Sequence, residues 1–238
     1  SGKNEYPRKF CCFGANPCAR LLVQPADSSP FVEQITALMQ KDESVTMENI
    51  VRSLTVALGE RDHHTRLHSE RVVRLAAELG CHIDLSEKEL AVLSLGAQFH
   101  DIGKIGIPDS VLGKPAPFEA QEWECMKQHP MIGERIILAI GANGSSDVAR
   151  IVRHHHENFD GSGYPDGLKG TEIPLFSRII SLTDNYDAMA ASRPYHTSRH
   201  HQAVMDIMVS EGGIKHDPDL LHAFSAIIEK SEMRARDD

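Results

Sequence analysis

Seven histidine and aspartate side chains recur through the middle of the sequence, singly or in pairs, at intervals of 26 to 32 residues. They are His68, His100, Asp101, His129, His155, His156 and Asp184. Each interval is long enough for one or two helices and a turn, so a helical bundle can deliver all of these side chains to one interior point. Neutral imidazoles combined with carboxylates suit Fe, Mn, Ni or Zn, and a carboxylate can bridge two ions. The pattern therefore predicts a metal centre.

The adjacent pairs His100-Asp101 and His155-His156 limit where these ligands stand on their helices. Neighbouring side chains point about 100° apart on a regular helix, so they converge only where the helix ends or is distorted. Glycines follow both pairs, which is consistent with helix ends, and a helix C-terminus also favours a cation. A single histidine in a helix is more often a hydrogen-bonded polar residue than a metal ligand. We interpret eight further histidines in this way: His63, His82, His154, His196, His200, His201, His216 and His222.

The elements that must position these ligands are predicted to be helices. Aromatic residues make up only 5% of the chain, and apolar residues recur at helical rather than alternating spacing. Ser86 and Glu89 form a capping box at the start of one helix, and Gly80 is expected to end the helix before it. We expect an irregular arm over residues 1–29, helices from Ser29 and around residues 50–58, and later helices at 118–128, 130–140, 146–157, 175–191, 200–211 and 217–230.

The charge balance and the remaining composition exclude several classes of function. Lys and Arg number 25 and Asp and Glu 34, so the net charge of −9 gives no diffuse attraction for duplex nucleic acid. A phosphate ligand would have to be held by local cations or metal ions. No apolar run approaches the roughly 18 residues of a membrane span, and the five cysteines form no CxxC pair. We therefore expect a cytoplasmic protein with reduced thiols.

Longer motifs around these residues resemble the HD-GYP family, a branch of the HD metal-dependent phosphohydrolases. His100-Asp101 is followed by IGK and IGIPDSVL, and His155-His156-Glu157 is followed by DGSGYPDGLKG, IPLFSRI, DNYDAM and RPY. The similarity runs from about residue 48 to residue 228. It implies an all-α HD-type bundle with a Gly/Pro-rich loop over residues 48–238. The N-terminal arm and helical segment, residues 1–47, would precede this domain as the end of a regulatory domain or as a lid over the site.

The resemblance implies a bacterial phosphodiesterase that hydrolyses a cyclic dinucleotide. The substrate is expected to be cyclic di-GMP, giving pGpG or GMP, or 3′,3′-cyclic GMP-AMP. Two divalent ions, iron or manganese with nickel and zinc as further candidates, would activate a bridging water for attack on phosphorus. Asp101 would bridge the ions, Lys104 would contact the scissile phosphate, and the other ligands would divide into His68, His100 and Asp184 on one ion and His129, His155 and His156 on the other.

Two positions depart from the family pattern. Some members use a glutamate four residues before the first ligand for a third metal, and here that position is His64, a ligand only if a third ion binds. The family commonly reads RPYK, in which Arg and Lys contact the substrate phosphate. Arg193 is present here, but His196 replaces the lysine, which puts one phosphate contact in question.

The loop from Asp160 to Gly167 is expected to form a wall of the substrate pocket. Gly161, Gly163 and Gly167 allow positive φ and Pro165 stiffens the turn, while Tyr164 offers a ring and a hydroxyl to guanine. A rigid turn that only holds the ligand helix is the alternative. The family also assigns this loop to contacts with diguanylate cyclase-type proteins, and dimerisation through the early helices stays open.

Two other functions compete with a cyclic-dinucleotide phosphodiesterase. One is a general HD-type nucleotide phosphohydrolase, against which the GYP loop counts. The other is a catalytically weak scaffold that binds the dinucleotide and signals through the loop. A missing ligand would favour the scaffold, yet every expected position is filled.

Overall fold

This computed structural model describes residues 63–190 and 200–235, together with residues 50, 53, 54, 56, 57 and 59. Within residues 63–190 and 200–235 there are nine α-helices. The side chains of residues 63–66 are outside that description. In chain order the helices are α1 (His63–His82), α2 (Glu87–Phe99), α3 (Asp109–Leu112), α4 (Ala120–Met126), α5 (His129–Ile140), α6 (Ser145–His154), α7 (Leu175–Ala190), α8 (His201–Ser210) and α9 (Pro218–Ile228), with 3-10 helices at Ile102–Gly106 and Gly170–Glu172. The only β-pairing within these residues is a single bridge between Gly212 and His216. The all-α prediction is confirmed.

The turn between α1 and α2 confirms one sequence prediction and corrects another. Ser86 begins α2 through the expected capping box, in which its backbone N–H donates to Glu89 Oε2 at 2.9 Å. The predicted end of α1 at Gly80 is wrong, because the helix continues to His82 and the chain turns at Asp84, whose φ is 59°. Gly80 instead permits close packing of α2, since a Cβ there would lie 2.8 Å from Leu90 Cδ2.

The larger hydrophobic core joins α1 to α7, α8 and α9. Its fully buried members are Val72 and Leu79 of α1, Ile179 of α7, Val204 of α8 and Phe224 of α9, among others. Burying one such aliphatic or aromatic side chain contributes about 1.5–3 kcal/mol. This core fixes α1 against α7, the two helices that carry His68 and Asp184.

A second core packs α2, α5 and α6 around Phe99, Ile137 and Val152. Here glycine is required by the close approach of backbones. A Cβ at Gly103 would lie 1.8 Å from the His129 carbonyl oxygen, and the 3-10 helix that contains Gly103 lies directly against α5. The contact brings the end of α2, with His100 and Asp101, next to the start of α5.

The six later helices are present at the predicted places, within a few residues. The largest difference is at 146–157, where α6 ends at His154 because the chain turns there and carries His155 and His156 off the helix. Residues 1–47 lie outside the described residues, so their arm, their helix and the boundary at 47/48 stay predictions. The described residues belong to one compact unit, Thr46–Asp238. None of the helices described is both long enough and apolar enough to cross a membrane.

Candidate metal centre

Three of the predicted histidine ligands stand at helix ends and make the same hydrogen bond. His100 caps the end of α2, His155 caps the end of α6, and His129 begins α5. In each ring Nδ1 faces the backbone carbonyl of the residue three positions earlier, at 2.7 Å for His100, 2.8 Å for His129 and 2.6 Å for His155. Because a carbonyl oxygen only accepts, Nδ1 carries the proton in all three rings. Each ring therefore presents the lone pair of Nε2 to the interior.

His68 approaches the same interior from α1 and is held by two aspartates of α7. Its Nε2 lies 3.0 Å from Asp184 Oδ1, and its Nδ1 lies 2.6 Å from Asp187 Oδ2. Asp187 in turn accepts hydrogen bonds from Arg71 Nε at 2.6 Å and from Arg71 Nη2 at 2.9 Å. The sequence reasoning missed Asp187. Its position three residues after Asp184 places both carboxylates on one face of the helix, which is the signal that would have found it.

Asp101 lies between His100 and His129, just beyond the end of α2. Its Oδ2 is 3.4 Å from His100 Nε2, and its Oδ1 is 3.5 Å from His129 Nε2. The Lys104 ammonium donates to Asp101 Oδ2 at 2.6 Å. Burial alone would raise the pKa of the Asp101 carboxyl, but the nearby Lys104 charge holds that pKa well below its ordinary value. Asp101 is thus an anion that lies close to both His100 and His129.

All seven predicted ligands meet in this one cluster. The His156 ring completes it, with its centroid 4.0 Å from that of His155 and 4.9 Å from that of His129. The donor atoms fall into two groups, each within 4.8 Å of one another: His68, His100 and Asp101, and His129, His155 and His156. Asp184 joins the first group through His68 and lies 4.0 Å from His100 Nε2.

The burial of the second group keeps its imidazoles neutral. Burial, with the neighbouring imidazoles as a further cause, lowers the pKa of His129 and of His156 to about 3 and the pKa of His155 well below its ordinary value. His68 differs: burial opposes its protonation, but the hydrogen bonds to Asp184 and Asp187 outweigh that effect and raise its pKa to about 9.

Three observations fit this cluster to divalent metal ions. Within the part of the chain that the structure describes, His100 Nε2 is buried and has no hydrogen-bond partner. The Nε2 atoms of His129 and His155 lie 3.3 Å apart with both protons on Nδ1, so the two lone pairs face each other. The donors are imidazole and carboxylate groups, the set that binds Fe, Mn, Ni and Zn. The residues present therefore can hold metal ions.

The loop after His156 is held by Glu157, a second residue that the sequence reasoning missed. Glu157 is 2% exposed, and its carboxylate accepts hydrogen bonds from the backbone N–H of Asp166 at 2.8 Å and of Leu168 at 3.1 Å. From α6, Arg153 donates to both carboxylate oxygens of Asp166 at 2.8 Å. The glutamate had a signal in the sequence, since it follows the histidine pair directly and precedes a loop rich in backbone donors.

The glycines of this loop act in two different ways. Gly161 and Gly167 have φ of 88° and 67°, as predicted. The prediction of positive φ at Gly163 is wrong. Glycine is needed there because a Cβ would lie 2.2 Å from the backbone nitrogen of Asn158, so the loop folds tightly over the chain that leaves the metal ligands.

The loop places Tyr164 on the metal-ligand cluster. Its ring stacks on that of His156, with centroids 5.0 Å apart and planes 29° apart. Burial, reinforced by the charges of Asp101 and Asp184, raises the pKa of the Tyr164 hydroxyl, which stays protonated. Tyr164 therefore lies beside the metal-ligand cluster, and its role in a pocket wall stays a prediction.

Other predicted residues lie outside the cluster or outside the described part of the chain. Arg193 and His196 are not among the described residues, and neither is the side chain of His64. His201 is a satisfied polar group, as interpreted, with Tyr186 Oη at 2.9 Å and Glu229 at 3.0 Å. His216 departs from that interpretation, because it is buried and neither ring nitrogen has a hydrogen-bond partner within the described residues.

The sequence matches known proteins along most of its length. Residues 46–220 match the HD domain family. The chain is 36% identical to the cyclic di-GMP phosphodiesterase response regulator RpfG of Xanthomonas campestris, over 80% of this chain and 50% of RpfG. It is 32% identical to 3′3′-cGAMP-specific phosphodiesterase 2 of Vibrio cholerae, over 74% of this chain and 34% of that protein. The chain thus spans half or less of the length of these relatives.

The fold also has a counterpart among solved structures. The crystal structure of a cyclic GMP-AMP specific phosphodiesterase of V. cholerae, V-cGAP3, superposes with a TM-score of 0.58. The alignment covers 77% of this chain and 49% of that chain at 20% identity. At that identity the likeness concerns the helical architecture alone.

Proposed function

The chain belongs to the HD domain family, and from that membership and the geometry of its centre we propose that it hydrolyses a phosphodiester bond of a cyclic dinucleotide. The substrate class comes from the relatives, which are named for cyclic di-GMP and for 3′3′-cGAMP. The observation that carries the proposal is the meeting of seven histidine and aspartate side chains in one buried cluster of two donor groups that share Asp101.

The two donor groups correspond to two metal sites. We propose that His68, His100 and Asp184 would hold one divalent ion and that His129, His155 and His156 would hold the other, with Asp101 as the ligand that both ions would share. Iron or manganese is the proposed metal, and nickel and zinc accept the same donors. When bound, such a pair of ions supplies Lewis acidity and lowers the pKa of a coordinated water towards neutrality.

The protein residues around the centre have separate tasks in this reaction. The carbonyl contacts of His100, His129 and His155 fix each ring before any ligand arrives, so little reorganisation is needed on binding. Lys104 is the cation nearest the shared carboxylate, and we assign it to the scissile phosphate, whose charge it would stabilise. Because the whole chain has a net charge of −9, such local cations have to attract the anionic substrate.

Contacts beyond the centre extend the proposal to the rest of the substrate and to partners. Tyr164 is assigned to the pocket wall because its ring lies on that of His156. Arg193 is assigned to a second phosphate contact, which His196 would supplement when protonated. The contact of the loop with diguanylate cyclase-type proteins and a homodimer through the early helices stay predictions.

One experiment tests the function and separates it from the alternatives. Protein purified anaerobically is analysed for metal, and the products formed from cyclic di-GMP and from 3′,3′-cyclic GMP-AMP are separated by chromatography. We expect about two metal ions per chain and linear dinucleotide or mononucleotide products. Metal-loaded protein that binds both compounds and releases no product would establish the scaffold instead. Equal turnover of ordinary nucleotides would indicate a general phosphohydrolase.

A further inference from the structure

A row of aromatic rings leads from the metal-ligand cluster to the protein surface. Tyr164 lies on His156, and the next ring is Trp123 of α4, whose centroid is 6.1 Å from that of Tyr164 with planes 81° apart. Phe118 follows, 6.3 Å from Trp123 with planes 23° apart. Trp123 is 44% exposed, although it is the single tryptophan of the chain and one of its largest apolar side chains.

The helix that carries Trp123 is also connected to the metal centre at its C-terminal end. Three residues further along α4, Met126 is buried against Ile107 and Val111. The Met126 carbonyl is the acceptor for His129 Nδ1, at 2.8 Å. A short helix anchored in this way holds the indole at a fixed place relative to the ligands, only two ring contacts from His156.

The chemistry around Trp123 suits an uncharged planar group rather than a phosphate. Its own helix and cap carry Glu119, Glu122 and Glu124, whose nearest cations are Lys114, paired with the first two, and Lys127. These pairs leave no excess positive charge to attract a phosphate. A purine base is neutral and has a flat π-face, and stacking on an aromatic side chain contributes to binding whatever the base.

We propose that Trp123 is the stacking surface for one base of the cyclic dinucleotide, and that with Tyr164 it positions the substrate while the phosphodiester lies at the metal centre. The proposal rests on the proposed function and adds a residue outside the motifs that predicted it. Trp123 is a positioning residue in this scheme, since the base that it contacts is remote from the reacting phosphorus. Binding energy from such a remote group lowers KM more than it changes kcat when it acts equally in the ground and transition states.

Because the chain has one tryptophan, its fluorescence reports on this contact directly. The probe is a hydrolysis-resistant phosphorothioate analogue of cyclic di-GMP, titrated into the metal-loaded protein. Stacking of a purine on the indole is expected to give saturable quenching of the emission. Dimethyl phosphate, which has the phosphodiester without a base, is expected to leave the emission unchanged. Saturable binding of the analogue by calorimetry with no change in emission would overturn the proposal.

Kinetics supply the second readout. Trp123→Ala is expected to raise KM for cyclic di-GMP about ten-fold, with kcat within about two-fold and metal content unchanged, and Trp123→Phe should recover most of the loss. Leu138→Ala, which truncates a comparably exposed apolar residue of α5, is the matched control. An unchanged KM in Trp123→Ala would refute the stacking role while leaving the phosphodiesterase function intact. Quenching by the analogue in a protein that turns over no substrate would refute the function and leave the stacking contact.

Discussion

The Nε2 atoms of His129 and His155 lie 3.3 Å apart inside the bundle, and neither carries the proton, because each ring donates Nδ1–H to the end of a helix. Two lone pairs at that distance repel each other, and both rings are buried where water cannot separate them. A cation between them turns the repulsion into coordination. The helix ends of α4 and α6 thus hold the two rings in an arrangement that a bound cation would stabilise.

The first prediction concerns the stability of chelated protein in acid. His129 and His156 have folded pKa values of about 3, against an ordinary value of 6.5, so the unfolded chain binds more protons and stability falls as pH drops from 6.5 towards 3. Together, His129 and His156 should lower the free energy of unfolding by about 2–3 kcal/mol for each pH unit within that window. His68, whose folded pKa is raised to about 9, stays protonated in the folded state, whereas the unfolded chain takes up that proton as pH falls through 6.5. His68 therefore partly offsets the loss near and above pH 6.5 and adds almost no slope below about pH 5.5.

The measurement is the free energy of urea unfolding of chelated protein at pH 7.5, 6.5 and 5.5. Protein reloaded with manganese serves as the control and should unfold at higher urea at each pH, because the ion binds the folded state alone. A chelated protein whose stability is the same at pH 6.5 and 5.5 would contradict the neutral state of these histidines.

The second prediction tests the shared anion. Asp101→Asn removes the charge that both donor groups contact, so we expect less than one bound metal ion per chain and a kcat at least about a hundred-fold lower. Metal analysis and turnover of cyclic di-GMP are measured on the same preparation. Asp206→Asn, on the exposed face of α8, is the control. Full metal content with normal turnover in Asp101→Asn would rule out the bridging role.

The third prediction separates Asp187 from the ligands. Asp187→Asn keeps the shape of the side chain but weakens the hydrogen bonds that orient His68 and hold Arg71. We expect metal affinity to fall about 10- to 100-fold, with turnover restored when metal is added in excess. Calorimetric metal titration measures the affinity, and Arg74→Gln, which breaks a surface ion pair one turn away, is the control. Turnover that excess metal does not restore would place Asp187 among the ligands.

The family and the clustering of the seven histidine and aspartate residues could be predicted because both depend on motifs and spacings that are visible in the sequence. The HD-GYP motifs are contiguous, and the family match is confirmed. The helices were predicted from apolar spacing and from caps such as Ser86, both of which are local properties. A helix that begins at a capping box and buries one face needs no information from distant residues.

What the sequence did not reveal depends on contacts between distant segments. Gly80 has the residue type of a helix end, but tertiary packing against Leu90 of α2 decided its role. Gly163 has the residue type of a positive-φ turn, but the approach of Asn158 made glycine necessary there. The pairing of Asp187 with His68 spans 119 residues. The sequence around Asp187 indicates it only through the helical spacing of Asp187 from Asp184.

The fourth prediction concerns the Glu157 carboxylate, whose hydrogen bonds hold the loop at residues 160–168. Glu157→Gln replaces one acceptor oxygen by an amide donor, so one of the two backbone N–H groups of Asp166 and Leu168 loses its partner in a buried place. The expected loss of stability is about 1–3 kcal/mol, with faster hydrogen exchange confined to residues 160–168. Glu172→Gln, an exposed capping glutamate after the same loop, is the control. Unchanged exchange in the loop would show that other contacts hold it.

The fifth prediction decides whether Tyr164 serves the substrate or only the fold. The Tyr164 ring stacks on His156. If its role is only structural, Tyr164→Leu should disturb His156 and release metal. If the ring is part of a pocket wall, the metal should stay bound. We expect Tyr164→Phe, which keeps the ring, to retain both metal and KM, because stacking needs no hydroxyl. Tyr164→Leu should keep two metal ions but raise KM for both cyclic di-GMP and 3′,3′-cyclic GMP-AMP, since an aromatic face stacks on either purine. Metal analysis and parallel kinetics with the two substrates give both answers from one preparation, and loss of metal in Tyr164→Leu alone would assign the ring to holding His156.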